Sequence, residues 1–178
     1  MAATSRLGRQ LEQLLAEFHG AGVAYALIGG LALSPHGVIR GTADVDLLVD
    51  AANSDDTDRL LSKLGYLCLH RSADAGNYVR GDERVDLLYA RRPIARRLLA
   101  EAVQREAPFG TVRVVGAEGL IGLKLQALVN NPRRTQDLED IRALLRANRT
   151  SLDMGELRGY FRLFEREPLL DELLRELD

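Results

Sequence analysis

Leu27-Ile28-Gly29-Gly30-Leu31, followed a short way on by Arg40-Gly41-Thr42-Ala43-Asp44-Val45-Asp46-Leu47-Leu48-Val49, is the stretch on which the fold turns. Val23 to Ile28 reads as a short apolar strand that runs into two glycines. Glycine lets a backbone approach a ligand with no Cβ in the way. A helical turn beginning there, over Leu31 to His36, would aim its free N–H groups at an anion above the turn. Val45 to Val49 reads as a second strand, and Asp44 and Asp46 flank Val45. Period-two geometry places both carboxylates on one face while Val45 points into the core. Two carboxylates so placed repel each other unless a cation sits between them. With no Cys or His nearby, the oxygen donors suit Mg²⁺ or Mn²⁺, hard ions that share substrate phosphate oxygens. A solvated strand face is the plainer reading of a lone Asp-x-Asp; the upstream Gly-Gly and the intervening Arg40 and Thr42 weigh against it.

Outward from this stretch the pattern is mixed. Leu7, Leu11, Leu14, Leu15 and Phe18 repeat at helical spacing until Gly20 and Gly22. Asn53, Ser54 and Asp55 offer caps for a helix through Leu64. Tyr66 to Leu69, Asn77 to Arg80 and Arg84 to Tyr89 read as strands, the last two joined as a hairpin across Gly81-Asp82. A helix over Pro93 to Glu106 and a strand over Thr111 to Val115 follow. The rest is helical: Ala117 to Val129, Arg134 to Ala147, and a tail from Asp153 that opens with a capping pair, Asp153 and Glu156, and that Pro168 divides. The order predicts an α+β or mixed α/β fold, a mixed sheet of about five strands covered by helices with further helices at the C-terminus. Residues 1–149 are expected to form the main domain and 150–178 a helical extension packed on it.

Composition sets the bounds. The chain has 178 residues, enough for one domain, and its 24 basic and 26 acidic side chains nearly cancel. A generally basic nucleic-acid binder is not indicated. Cys68 is the one cysteine, which excludes an intramolecular disulfide and a thiolate metal cage, and Leu67 and Leu69 mark it as a strand residue. No apolar run reaches membrane-spanning length and the start of the chain does not read as a signal peptide, so a cytoplasmic protein with no membrane partner is expected. Gly29-Gly30 lacks the Gly-Lys-Ser/Thr ending of a P-loop. His19, His36 and His70 share no metal-ligand spacing. Arg91, Arg92, Arg96 and Arg97 form a basic cluster, read as a solvated helix face or partners for acids such as Glu101 before a phosphate contact.

Two further groups stand out. Asp86, in Arg84-Val85-Asp86-Leu87-Leu88, alternates with apolar neighbours and so projects away from them. Asp82 and Glu83 are competitors by type, but they sit at the hairpin turn. Lys124 falls in the middle of an apolar stripe with Leu120, Ile121 and Leu128, where a lysine is paired, snorkels its stem, or reaches a cleft. Next comes Arg134-Thr135-Gln136-Asp137-Leu138-Glu139-Asp140-Ile141, in which Asp137 and Asp140 are i,i+3 neighbours at an acidic first helical turn.

The Gly-Gly pair after an apolar strand, with Asp44-x-Asp46 following, resembles the polymerase-β-like nucleotidyltransferase superfamily. Arg40-x-Thr42-x-Asp44-x-Asp46 and the later Lys124 with Arg134-x-x-Asp137-x-x-Asp140 are similar to its bacterial AbiEii-type toxin branch. The resemblance implies that Asp44, Asp46 and a third carboxylate, Asp86, hold metal ions. It also implies that Gly29 and Gly30 hold phosphates, that Arg40 and Thr42 shape the loop or touch the nucleotide, and that Lys124 and Asp137 contribute to nucleotide binding and activity. The implied reaction is transfer of a nucleoside monophosphate from an NTP to an acceptor by a two-metal mechanism. RNA or protein is then the acceptor and a cognate antitoxin a partner. Alternatives of the same fold are a small-molecule, antibiotic-type nucleotidyltransferase and an inactive nucleotide-binding or interaction protein.

Overall fold

The computed structural model describes residues 5–177; the first four residues, part of the segment read as carrying no signal peptide, and Asp178 lie outside it. In chain order the elements are α1 (Arg6–Gly20), β1 (Tyr25–Ile28), β2 (Asp44–Asp50), α2 (Ser54–Lys63), β3 (Leu67–Arg71), β4 (Ala75–Arg80) and β5 (Glu83–Ala90). Then come α3 (Pro93–Ala100), β6 (Val103–Ala107), β7 (Gly110–Val114), α4 (Ala117–Asn130), α5 (Thr135–Asn148), α6 (Met154–Leu163) and α7 (Glu167–Arg175). Leu31–His36, expected as a helical turn, is a 3-10 segment.

The chain clusters into two compact units. The first runs to Ala32 and resumes over Arg40–Val115; the second is Leu33–Ile39 with the chain from Gly116 onward. The boundary expected between residues 149 and 150 falls inside the second unit, between α5 and α6.

The first unit is built on a mixed sheet in the order β3-β4-β5-β2-β1-β7-β6. β2 runs antiparallel to β1 and parallel to β5, and β1 runs parallel to β7. Its core is the set anticipated from alternation: Val45, Leu47, Val85 and Leu87 are buried, joined by Leu11, Leu14 and Phe18 of α1. Ser5 caps α1 by accepting from Gly8 N at 3.0 Å. Tyr78 fixes α2 to the sheet by donating to Asp58 Oδ1 at 2.8 Å, and burial pushes its phenol well above the usual range.

The sheet has seven strands, not about five. The strand with no counterpart in the sequence reading is β6, within residues 93–106, expected as one helix. The helix stops at Ala100, and Val103–Ala107 pairs with β7 as a hairpin edge, Ala107 opposite Gly110. Gly110 takes φ 109°, a conformation that glycine adopts freely and that closes the short connection. The other hairpin is as read: Arg80 faces Glu83 across Gly81, which has φ 60°.

In the second unit, Ile141, Leu144 and Leu145 of α5 are buried as expected, with Leu120, Ile121 and Leu125 of α4. Gly122 of α4 lies against Tyr160 of α6: a Cβ there would come within 2.9 Å of the ring carbon Cγ. Asp153 caps α6, accepting from Glu156 N at 2.9 Å. The tail divides, but not at Pro168, which sits in the first turn of α7 where its missing N–H costs nothing. The break is at Phe164 to Arg166, with Glu165 at φ 55°.

Candidate active site

The sequence-predicted site residues fall into two groups, one in each unit. In the first unit, β1 ends at Ile28 opposite Asp46, and Gly29 follows at φ 67°. A Cβ on Gly29 would collide with the Asp46 carboxylate, which therefore lies directly over this glycine. A Cβ on Gly30 would come within 2.8 Å of Thr42 Oγ1 and 3.2 Å of Arg40 Nη2. The glycine pair is thus the floor on which Asp46, Thr42 and Arg40 assemble. Arg40 also donates from Nη1 to Gly41 O at 2.9 Å, which folds its loop back on itself.

The third carboxylate arrives through strand register. β2 and β5 are parallel, with Asp46 directly opposite Asp86 and Asp44 opposite Arg84. Residues paired in this way share a face, so Asp44, Asp46 and Asp86 project from the same side of the sheet. All three are half-buried. Asn77 on β4 lies opposite Asp86 in turn and donates from Nδ2 to Asp86 Oδ1 at 2.7 Å. Asn77 is a candidate site residue that the motif does not reveal. The hairpin turn was a sufficient signal, because Arg80 opposite Glu83 fixes Asn77 opposite Asp86. The competitors stay at the turn: Glu83 pairs with Arg80 at 2.7 Å and Asp82 with Arg6 at 3.1 Å.

Among the described residues no three His, Cys, Asp or Glu side chains are gathered closely enough to hold a metal ion as they stand. Asp46 lies over Gly29, and Asp86 accepts from Asn77. The donor set is nonetheless all carboxylate oxygen on one face of adjacent strands, about 5 Å apart across the ladder. That set fits a hard divalent cation once the side chains turn toward it.

The second group is organised differently. Lys124 is neither a snorkelling stem nor a solvent-facing cation: it is 6% exposed and donates to Asp140 Oδ2 at 2.6 Å and to Asp137 Oδ1 at 3.2 Å. Both acids are equally deep, at 6% and 2% exposed. Arg134 Nε reaches Asp137 Oδ2 at 2.5 Å, and Gln136 Nε2 donates to Asp140 Oδ1 at 3.1 Å. Two cations and two anions balance, with α4 supplying the lysine, α5 the two aspartates, and Arg134 standing just before α5. The i,i+3 spacing of the acids, read as an acidic first helical turn, is what lets both face one ammonium.

The basic cluster at the start of α3 and along it is exposed as expected, with Arg97 Nε 4.0 Å from Glu101. Cys68 is an exposed residue of the edge strand β3. Among the described residues no helix is long and apolar enough to cross a membrane.

No protein-family profile matches the chain, and no curated protein sequence matches it. Solved structures do. The solution structure of the antibiotic-resistance factor ANT(2'')-Ia superposes over 99% of this chain and 100% of its own, with TM-score 0.70 at 17% identity. The crystal structure of ANT(2'')-Ia in complex with adenylyl-2''-tobramycin matches 90% of this chain and 98% of its own, with TM-score 0.67 at 20% identity. The lincomycin-bound lincosamide antibiotic adenylyltransferase LnuA matches 79% and 96%, with TM-score 0.57 at 16% identity. At such identities the likeness is one of fold. The chain has the nucleotidyltransferase fold, a mixed sheet with helices, as the glycine pair and the two aspartates implied.

Proposed function

We propose that the protein is a divalent-metal-dependent nucleotidyltransferase that moves a nucleoside monophosphate from an NTP to a hydroxyl acceptor. The observation that carries this reading is the seating of Asp46 on Gly29, with Asp86 beside it in register. Asp44, Asp46 and Asp86 would hold Mg²⁺ or Mn²⁺, which supplies Lewis acidity toward the phosphates and the attacking oxygen. Gly29 and Gly30 leave room for phosphate against the backbone. Asp86, aimed by Asn77, is suited to take the acceptor's proton. Arg40 and Thr42 line the approach to the glycines and would orient the nucleotide.

Lys124 and Asp137 enter by resemblance. Because the Lys124 ammonium is bonded to Asp137 and Asp140, a phosphate contact from it requires exchanging a carboxylate for the phosphate. As bonded, Lys124 holds α4 to α5.

The acceptor divides the proposal. Lys124 and the Arg134-x-x-Asp137-x-x-Asp140 helix support the AbiEii-type reading, with an RNA or protein acceptor and an antitoxin partner. The full-length likeness to ANT(2'')-Ia supports a small-molecule acceptor with hydroxyl groups. Incubation with each α-labelled NTP and Mg²⁺, in the presence of total RNA, a protein lysate, or aminoglycosides and lincosamides, separates the two by where the label goes. Absence of transfer to every pool, or transfer that persists in Asp46→Asn, would overturn the assignment.

A further inference from the structure

At the other end of the sheet from Gly29 lies a cavity of about 510 Å³ that contains none of the site residues above. It opens where β1 begins and β2 ends: Tyr25 and Asp50 line it, whereas Ile28 and Asp46 belong to the opposite ends of those strands. About four residues of strand, roughly 13 Å, separate the two places. Val23 and Leu99 give it an apolar floor, and His19, Arg96 and Arg113 bring basic groups to it. Its size is that of small-molecule sites, roughly 300–1,000 Å³.

The polar groups here are underused. The Arg96 guanidinium has no hydrogen-bond or ion-pair partner among the described residues. Arg113 spends Nη2 on Leu99 O at 3.0 Å and Ala100 O at 3.3 Å, the last carbonyls of α3, which holds the guanidinium in place and leaves its other N–H groups for a ligand. The Tyr25 hydroxyl has no hydrogen-bond partner among the described residues; burial pushes the phenol up, and the Arg113 charge pulls against that. Asp50 also lines the cavity, with its Oδ1 accepting from Ala52 N at 2.9 Å, so its single negative charge is set against the two guanidiniums. Two guanidiniums, one of them pinned, over an apolar floor match a dianionic head on an apolar body.

We propose that this cavity is a second binding site, for a small organic phosphate monoester whose apolar body rests on Val23 and Leu99 and whose phosphate meets Arg96 and Arg113. It is independent of the nucleotidyl-transfer reading and needs no metal. The test is titration with phenyl phosphate in metal-free buffer, followed by backbone amide shifts, beside inorganic phosphate and phenol. Saturable shifts are expected at Ala24, Tyr25 and Thr111, with Gly29 and Gly30 unmoved. Inorganic phosphate and phenol should each bind at least about fivefold more weakly, since each lacks half of the match. Arg96→Gln should weaken phenyl phosphate by about fivefold or more with no change in melting temperature, because that side chain bonds none of the described residues. Arg113→Gln should do the same to binding and also loosen the end of α3. Shifts centred on Gly29 and Gly30, equal binding of inorganic phosphate, or unchanged affinity in Arg96→Gln would each overturn the proposal.

Discussion

Replacing Lys124 by Met removes the buried one of the cluster's two cations and leaves both carboxylates with Arg134 as the remaining cation, bonded to Asp137. The methionine keeps most of the stem's length and volume, so packing of α4 is little disturbed. Asp137 and Asp140 remain at 6% and 2% exposure, where water cannot substitute for the ammonium that stood 3.2 and 2.6 Å from them. Breaking a buried pair from one side in this way costs about 3–5 kcal/mol. With a urea dependence of about 2 kcal/mol per molar, the unfolding midpoint should fall by about 1.5–2.5 M. Urea denaturation followed by circular dichroism reads this directly, and hydrogen exchange should show the loss in α4 and α5. Lys124→Met combined with Asp137→Asn and Asp140→Asn removes the excess buried negative charge and should recover more than half of the loss. A snorkelling or purely phosphate-binding lysine would behave otherwise. A single-variant midpoint within about 0.5 M of the wild type, roughly 1 kcal/mol, would refute the argument that this cluster holds the second unit together.

Asp44→Ala and Asp46→Ala should each abolish the rise in melting temperature that Mg²⁺ with NTP produces, and should leave the metal-free protein as stable as before or slightly more so, because a like-charge contact is relieved. Gly29→Ala places a β-carbon where the Asp46 carboxylate lies and forces φ 67° on an L-residue, so about 1–2 kcal/mol of stability should go together with the NTP response; an intact thermal shift would show that Asp46 does not need this floor. Gly122→Ala improves helix propensity by about 1 kcal/mol but drives a methyl to 2.9 Å from the Tyr160 ring. Overpacking of about 1–3 kcal/mol should win, and a denaturation midpoint above the wild type would show that Tyr160 yields.

The parts of the fold legible in the sequence are those written in local pattern. Alternation about Val45 and Val85 gives the faces of β2 and β5, and the helical spacing of Leu11, Leu14 and Phe18 gives the buried side of α1. The edge strand β6 was not legible for a physical reason. Val103-Gln104-Arg105-Glu106 is almost wholly exposed and carries no buried face to impose a period of two. Its long polar side chains have good helix propensity, so the sequence reads as a continuation of α3. What makes it a strand is the neighbouring β7 and the Gly110 turn, a partner rather than a pattern.

The site divides along the same line. Gly29, Gly30, Asp44 and Asp46 were legible because a sharp turn and a period-two pair are local demands on residue type. Asn77 opposite Asp86 was equally within reach, since a two-residue turn fixes hairpin register. Asp46 opposite Asp86 was not, because parallel strands meet through a long crossover whose length leaves the register free. The Lys124 cluster shows the converse failure. A lysine on an apolar stripe and an acidic helix start each had an adequate local explanation, snorkelling for one and the helix dipole for the other. Only the packing of α4 on α5 reveals that each is the other's reason. A buried charge is intelligible only with its counter-charge, and counter-charges on separate helices leave no mark in sequence spacing.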